Sequence, residues 1–195
     1  MRRCGEERLN GVSQPFAGAK LSIATLPTRS GSVRDYQLEL AAPDDLGTQV
    51  MTVPAGQVIP VDVTVTSMED GVLLQIQADA SARAECVRCL RPVSQGVHVD
   101  VHEMLFTPEA VARIRKEDGD EAVEDLVVLE GDEIELEPWL RDAIVTSFPY
   151  APLCKPDCEG LCDVCGKRWE DLPDDHEHEV LDPRFSALKD FFKED

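Results

Sequence analysis

The chain has 195 residues and a formal charge of -20, from 39 acidic and 19 basic side chains. A surface that acidic repels phosphate backbones, so it disfavours direct, electrostatically driven nucleic-acid binding and favours either basic partners or plain solubility. No run approaches the ~18 apolar residues of a membrane span, and the arginines of residues 1–11 precede no apolar signal core, so a cytoplasmic protein is expected.

With 43% hydrophobic but only 5% aromatic residues, the core should be mainly Val, Leu, Ile and Ala. Residues 1–34 mix Gly, Ser and Pro with scattered arginines and sustain no period, which predicts a flexible, mildly basic N-terminal arm. Cys4 stands alone there and reads as a spare thiol. Residues 35–195 should form a single α+β domain.

Order is expected to begin at Tyr36, where Tyr36, Leu38 and Leu40 alternate with Gln37 and Glu39 as a half-buried strand. A turn over 42–47 and a short run at Val50–Val53 follow. Val61, Val63 and Val65 then alternate with polar residues up to the turn at 67–71, and Val72, Leu74, Ile76, Ala78 and Ala80 resume the period beyond it. Two such runs joined through a glycine predict a β-hairpin. Cys86 and Cys89 fall at or just past the end of the second strand, and Val97, Val99 and Val101 mark another. The strands suggest an antiparallel β-sheet or partial barrel.

Helical signals come only afterwards. Thr107-Pro108-Glu109 offers a capping hydroxyl, proline at the first helical position and an acid facing the dipole, with the helix running to about Lys116. Residues 117–137 hold eleven acids and no base, which predicts a mobile acidic loop with a brief strand at Leu126–Leu129. Pro138 opens a second helix that stops at Pro149, and a last one is expected from Asp182-Pro183, docking Phe185, Leu188 and Phe192.

Six of the seven cysteines lie in two patches, Cys86/Cys89 and Cys154/Cys158/Cys162/Cys165, the latter inside a Cys-rich segment at 149–169. Two residues between cysteines let a tight turn aim both sulfurs at one ion, and two such turns supply the four ligands of a structural zinc. In a reducing compartment, paired thiols hold metal more often than they form disulfides. The first-choice site is Cys86, Cys89, Cys162 and Cys165, because Gly166 permits the backbone turn of a zinc knuckle. A second arrangement takes Cys86 and Cys89 with Cys154 and Cys158, and a third is local to 154–165. Six thiolates with His176 and His178 could fill two sites, although the two histidines, set among acids, read first as a solvated polar loop. A thioredoxin-like role would need a cysteine at a helix N-terminus after a strand; neither CxxC has that setting.

These motifs, in order, resemble the YceD family of large ribosomal RNA subunit accumulation proteins. The resemblance rests on the hairpin before Glu85-Cys86-Val87-Arg88-Cys89-Leu90-Arg91-Pro92, on Phe148-Pro149-Tyr150-Ala151-Pro152-Leu153-Cys154, on Gly160-Leu161-Cys162-Asp163-Val164-Cys165-Gly166, and on Leu181-Asp182-Pro183-Arg184-Phe185 with its closing helix. It implies a non-enzymatic ribosome-biogenesis factor supporting 23S rRNA accumulation and large-subunit assembly, with no catalytic residues. Combined with the charge, it suggests a ribosomal protein or assembly factor with a basic surface as partner, any contact with rRNA or the pre-50S particle being indirect. The competing readings are a metal-dependent RNA-processing enzyme and a zinc-dependent interaction or transcription adaptor.

Overall fold

Period-two alternation dominates from Val33 to Phe106, and four long strands follow from it. The computed structural model describes residues 7–8 and 14–178. In it, β4 (Val33–Ala41), β6 (Val58–Ser67), β7 (Gly71–Glu85) and β8 (Pro92–Phe106) form an antiparallel meander. Leu38 faces Val61, Val63 faces Ile76 and Ile76 faces Val101, so one face of the sheet is apolar and buried while Gln37, Glu39, Asp62, Gln77 and Asp79 point to solvent.

Short strands finish the edges. β1 (Glu7–Arg8) and β2 (Gln14–Pro15) lie parallel to β4, β5 (Met51–Thr52) pairs with β7, and β9 (Val127–Val128) lies parallel to β8. The sheet is open and not closed into a barrel, with the order β1-β4-β6-β7-β8-β9. At the open end of the β7–β8 hairpin only glycine fits position 71, because a Cβ there would lie 1.9 Å from the Leu105 carbonyl oxygen.

Two α-helices occur among the described residues. α1 (Pro108–Asp118) starts as its sequence predicts, with the Thr107 hydroxyl accepting from the Ala110 N–H at 3.3 Å. α2 (Glu137–Thr146) buries Leu140 and Ile144 in the main core. The helix expected from Asp182 lies outside the described residues, as does Cys4.

Two segments differ from the sequence expectation. Residues 14–34, given to the arm, contribute Phe16, Leu21 and Ile23 to the core, and β3 (Lys20–Ser22) pairs with β10 (Glu133–Glu135) in a separate two-stranded sheet. The second segment is the acidic stretch 117–137, expected to be mobile. Its Val123, Ile134 and Leu136 are buried, Ile134 stands opposite Leu21, and the Leu136 N–H donates to the Ala19 carbonyl at 2.8 Å. Each segment carries isolated apolar anchors rather than a periodic stripe, so each gains order only against the other and the sheet. The acids remain outside: of the eleven in 117–137, all but Glu137 are exposed.

Candidate metal centre

The β7–β8 hairpin runs on past β6, with β5 alone pairing β7 near the tip, at Arg83 and Ala84. β6 covers β7 only to Ala78, while the pairing with β8 continues to Glu85 opposite Pro92. The tip, residues 86–91, is the first CxxC. There the Leu90 N–H donates to the Cys86 carbonyl at 2.9 Å and the Cys86 N–H to the Arg91 carbonyl at 2.8 Å, with Leu90 in the left-handed region at φ 57°.

The second CxxC repeats this turn. The Gly166 N–H donates to the Cys162 carbonyl at 2.8 Å and the Cys162 N–H to the Lys167 carbonyl at 2.7 Å, with Gly166 at φ 69°. Offset for offset, Leu90 occupies the place of Gly166. That equivalence is hidden in the sequence, because leucine does not announce a left-handed residue.

The segment after α2 straps back across the hairpin tip. The Val87 N–H donates to the Pro152 carbonyl (3.0 Å), Arg88 Nη1 to the Cys158 carbonyl (2.8 Å) and Arg168 Nε to the Cys89 carbonyl (2.9 Å). Glu170 binds Arg91 at 3.0 Å and Lys155 at 3.5 Å, tying tip and strap through one carboxylate. Gly160, at φ 87°, passes so near the tip that a Cβ would lie 3.3 Å from the Arg88 carbonyl oxygen.

The strap brings Cys154 and Cys158 to the hairpin cysteines, and the sulfurs of Cys86, Cys89, Cys154 and Cys158 all lie within 4.8 Å of one another. Cys86 Sγ is 3.8 Å from Cys158 Sγ, and Cys89 Sγ is 3.5 Å from Cys154 Sγ. Four sulfurs at about 2.3 Å from one zinc would stand roughly 3.8 Å apart along each tetrahedral edge. A disulfide needs about 2.05 Å between sulfurs, and all six described cysteines are free. Three of the four are buried, and Val93, Leu153 and Leu161 pack around them as a small core separate from the main one.

The protonation pattern suits a cation. Burial pushes the Cys86 thiol up, but backbone hydrogen bonds from Cys89, Cys154 and Arg88 outweigh it and leave its pKa lowered to about 6. Cys154 is pushed up to about 12 by burial and by the sulfurs of Cys89, Cys158 and Cys86 beside it, and burial also raises Cys158. The cluster therefore favours a thiolate at Cys86 and resists one at Cys154 and Cys158. A divalent ion among the sulfurs removes that resistance.

A second group gathers Cys162, Cys165, His176 and His178, whose ligand atoms also lie within 4.8 Å of one another. The first-choice set is thus divided: Cys86 and Cys89 meet Cys154 and Cys158, the second arrangement, while Cys162 and Cys165 face the two histidines instead. The reason is directional. The strap brings Cys154 and Cys158, rather than the second knuckle, to the hairpin cysteines, and leaves Cys162 and Cys165 to the segment that carries the histidines. The histidines, expected in a solvated loop, are half-buried and exposed respectively. The available signal was their i,i+2 spacing shortly after a CxxC.

No described helix is long and apolar enough to cross a membrane. Among known proteins, the family described as "Large ribosomal RNA subunit accumulation protein YceD" matches residues 74–192, a span that includes all six clustered cysteines and both histidines. An uncharacterized protein of Mycobacterium tuberculosis is 32% identical over 189 residues, covering 96% of this chain and 86% of its own length. One from Mycobacterium bovis gives the same figures. An uncharacterized protein of Mycobacterium leprae is 31% identical over 175 residues, covering 89% of this chain and 77% of its own. No solved structure matches.

Proposed function

The chain belongs to the YceD family, described by the accumulation of large-subunit ribosomal RNA, and from that premise we propose that it is a non-enzymatic ribosome-biogenesis factor whose binding surface is held in shape by a structural zinc. The observation that carries the zinc is the gathering of four sulfurs, from Cys86, Cys89, Cys154 and Cys158, within 4.8 Å of one another, with two of the separations, 3.8 and 3.5 Å, near a tetrahedral edge. Four thiolates would close the coordination sphere and leave no position for an activated water, which argues against a metal-assisted nuclease and for a factor that acts by binding.

The partner is a protein with a basic surface, a ribosomal protein or assembly factor. The net charge and the ten exposed carboxylates of 117–136, held on ordered backbone, support this reading. A fixed acidic surface can shield a basic protein from premature contact with rRNA, whereas bare rRNA would be repelled by it.

Two measurements test the proposal. Cells lacking the protein should accumulate less 23S rRNA, and a copy carrying Cys86→Ser should restore it poorly; normal 23S levels without the protein would end the reading. Pull-downs at low and high salt should retain a basic protein in a salt-sensitive manner. Retention of naked 23S RNA, undiminished after neutralising the acids of 117–137, would refute the choice of partner.

A further inference from the structure

We propose that Cys162, Cys165, His176 and His178 form a second, independent zinc site. It would be of Cys2His2 composition and would fasten residues 173–178 onto the second knuckle. The two thiols and two imidazoles come from one continuous stretch, with ten residues between Cys165 and His176 and one between the histidines. All four ligand atoms lie within 4.8 Å of one another. Cys165 Sγ stands 3.6 Å from His176 Nε2. A zinc ion with one sulfur at about 2.3 Å and one nitrogen at about 2.05 Å in tetrahedral array separates those atoms by roughly 3.6 Å.

The surroundings are those of a ligand set rather than a chance meeting. Cys162 is buried, and backbone hydrogen bonds from Cys165 and Val164 lower its thiol pKa, as the knuckle turn requires. The His176 N–H donates to the Pro173 carbonyl at 3.0 Å, a turn that brings the ring back toward Cys165. His176 also stands edge-on to Trp169 at 5.5 Å and to His178 at 4.4 Å between ring centroids, which fixes its plane. Among the described residues, no other side-chain bond holds the two rings over the knuckle. They are polar, they lie among Asp174, Asp175 and Glu177, and no apolar cluster receives them. Two thiolates with two imidazoles match the preference of zinc over hard oxygen-seeking cations, and four protein ligands make the site structural.

This site does not depend on the biogenesis reading or on the Cys86 cluster. The test is zinc content per folded chain by elemental analysis, together with cobalt(II) substitution, whose sulfur charge-transfer absorption reports thiolates per ion. Wild-type protein should carry two zinc ions. The double variant His176→Ala/His178→Ala, whose changes fall outside both cores, should carry one, its cobalt spectrum that of a four-thiolate ion. Cys165→Ser should do the same. Cys154→Ser/Cys158→Ser should instead keep one ion with a two-thiolate spectrum, so loss of the first site is told apart from loss of the second. Absence of a two-thiolate ion from wild-type protein, or a zinc content unchanged in the histidine variant, would overturn the proposal.

Discussion

Each knuckle closes on a left-handed residue, Gly166 at φ 69° and Leu90 at φ 57°, and the same substitution should therefore have opposite signs at different glycines. A Cβ added at Gly166 would meet nothing within 4 Å, so Gly166→Ala brings conformational strain without a clash. An L-residue in this region costs about 1–2 kcal/mol, and the lost freedom of the unfolded chain returns about 0.4–1 kcal/mol. The net expectation is a destabilisation of about 0.5–1 kcal/mol. Gly96, in the middle of β8, is equally open but does not have a left-handed φ, so Gly96→Ala should stabilise by about 0.5–1 kcal/mol. Leu90→Gly reverses the Gly166 arithmetic and should gain about 0.5 kcal/mol. For a chain of this size 1 kcal/mol moves Tm by about 2–4 °C, so thermal unfolding in zinc-saturated buffer resolves all three, and urea midpoints at constant slope check them. Gly166→Ala at or above wild-type stability, with Gly96→Ala stabilising as expected, would refute the equivalence of the two knuckles.

Gly71→Ala should destabilise by about 3 kcal/mol or more, because the new Cβ meets the Leu105 backbone at 1.9 Å and the paired strands must part, which urea unfolding would register. Glu137 accepts from the Gly18 N–H at 2.6 Å and from Arg141 at 2.9 Å, and these bonds hold its carboxyl below the usual carboxylate range despite some burial and the nearby Asp45. Its folded pKa lies below the unfolded value of about 4.3, so its contribution is full above that pH and is lost as pH falls through the folded pKa. Glu137→Gln should accordingly narrow the gap between urea midpoints at pH 7 and pH 3, whereas an unchanged gap would remove Glu137 from the account. Chelation should loosen the strap while leaving the sheet, seen as rapid hydrogen exchange over 150–178 with protection kept in β6 and β7. Equal loss in both regions would show that the ion holds the whole fold.

The meander was legible because Val61, Val63 and Val65 and their partners obey a strict period that only a half-buried strand satisfies. The starts of α1 and α2 were legible because Pro108 and Pro138 mark helix N-termini locally. Phe16, Leu21, Ile23 and Ile134 were not, since each is a lone anchor whose burial depends on a partner more than a hundred residues away in the chain or across the sheet. The cysteines gave their chemistry through spacing, but spacing does not encode direction. That Cys89 lies next to Cys154 rather than Cys165 depends on how the strap crosses the hairpin, through Arg88, Arg168 and Glu170, and none of these bonds has a sequence signature.

That crossing also supports placing the proposed metal at the strap. The sheet has a continuous core, from Leu40 through Ile59 and Ile76 to Leu140 and Ile144, and stands on apolar burial. The strap, residues 149–178, has only a 3-10 turn at Trp169–Asp171 as regular structure, and only Val93, Leu153 and Leu161 around its cysteines. Ordering that backbone costs conformational entropy at every residue, and three partly buried aliphatic side chains offset only a small part of it. Hydrogen bonds to the hairpin tip set the geometry without closing that gap, because each replaces a bond to water. A structural zinc would bind only the folded strap and so would add its binding free energy to that state. On the proposed reading the clamp's shape is conditional on an ion, while the acidic surface on 117–136 rests on the main core through Ile134 and Leu136. Metal loss should free the strap from the hairpin and leave that acidic surface standing, which makes the two halves of the proposed function separable by mutation.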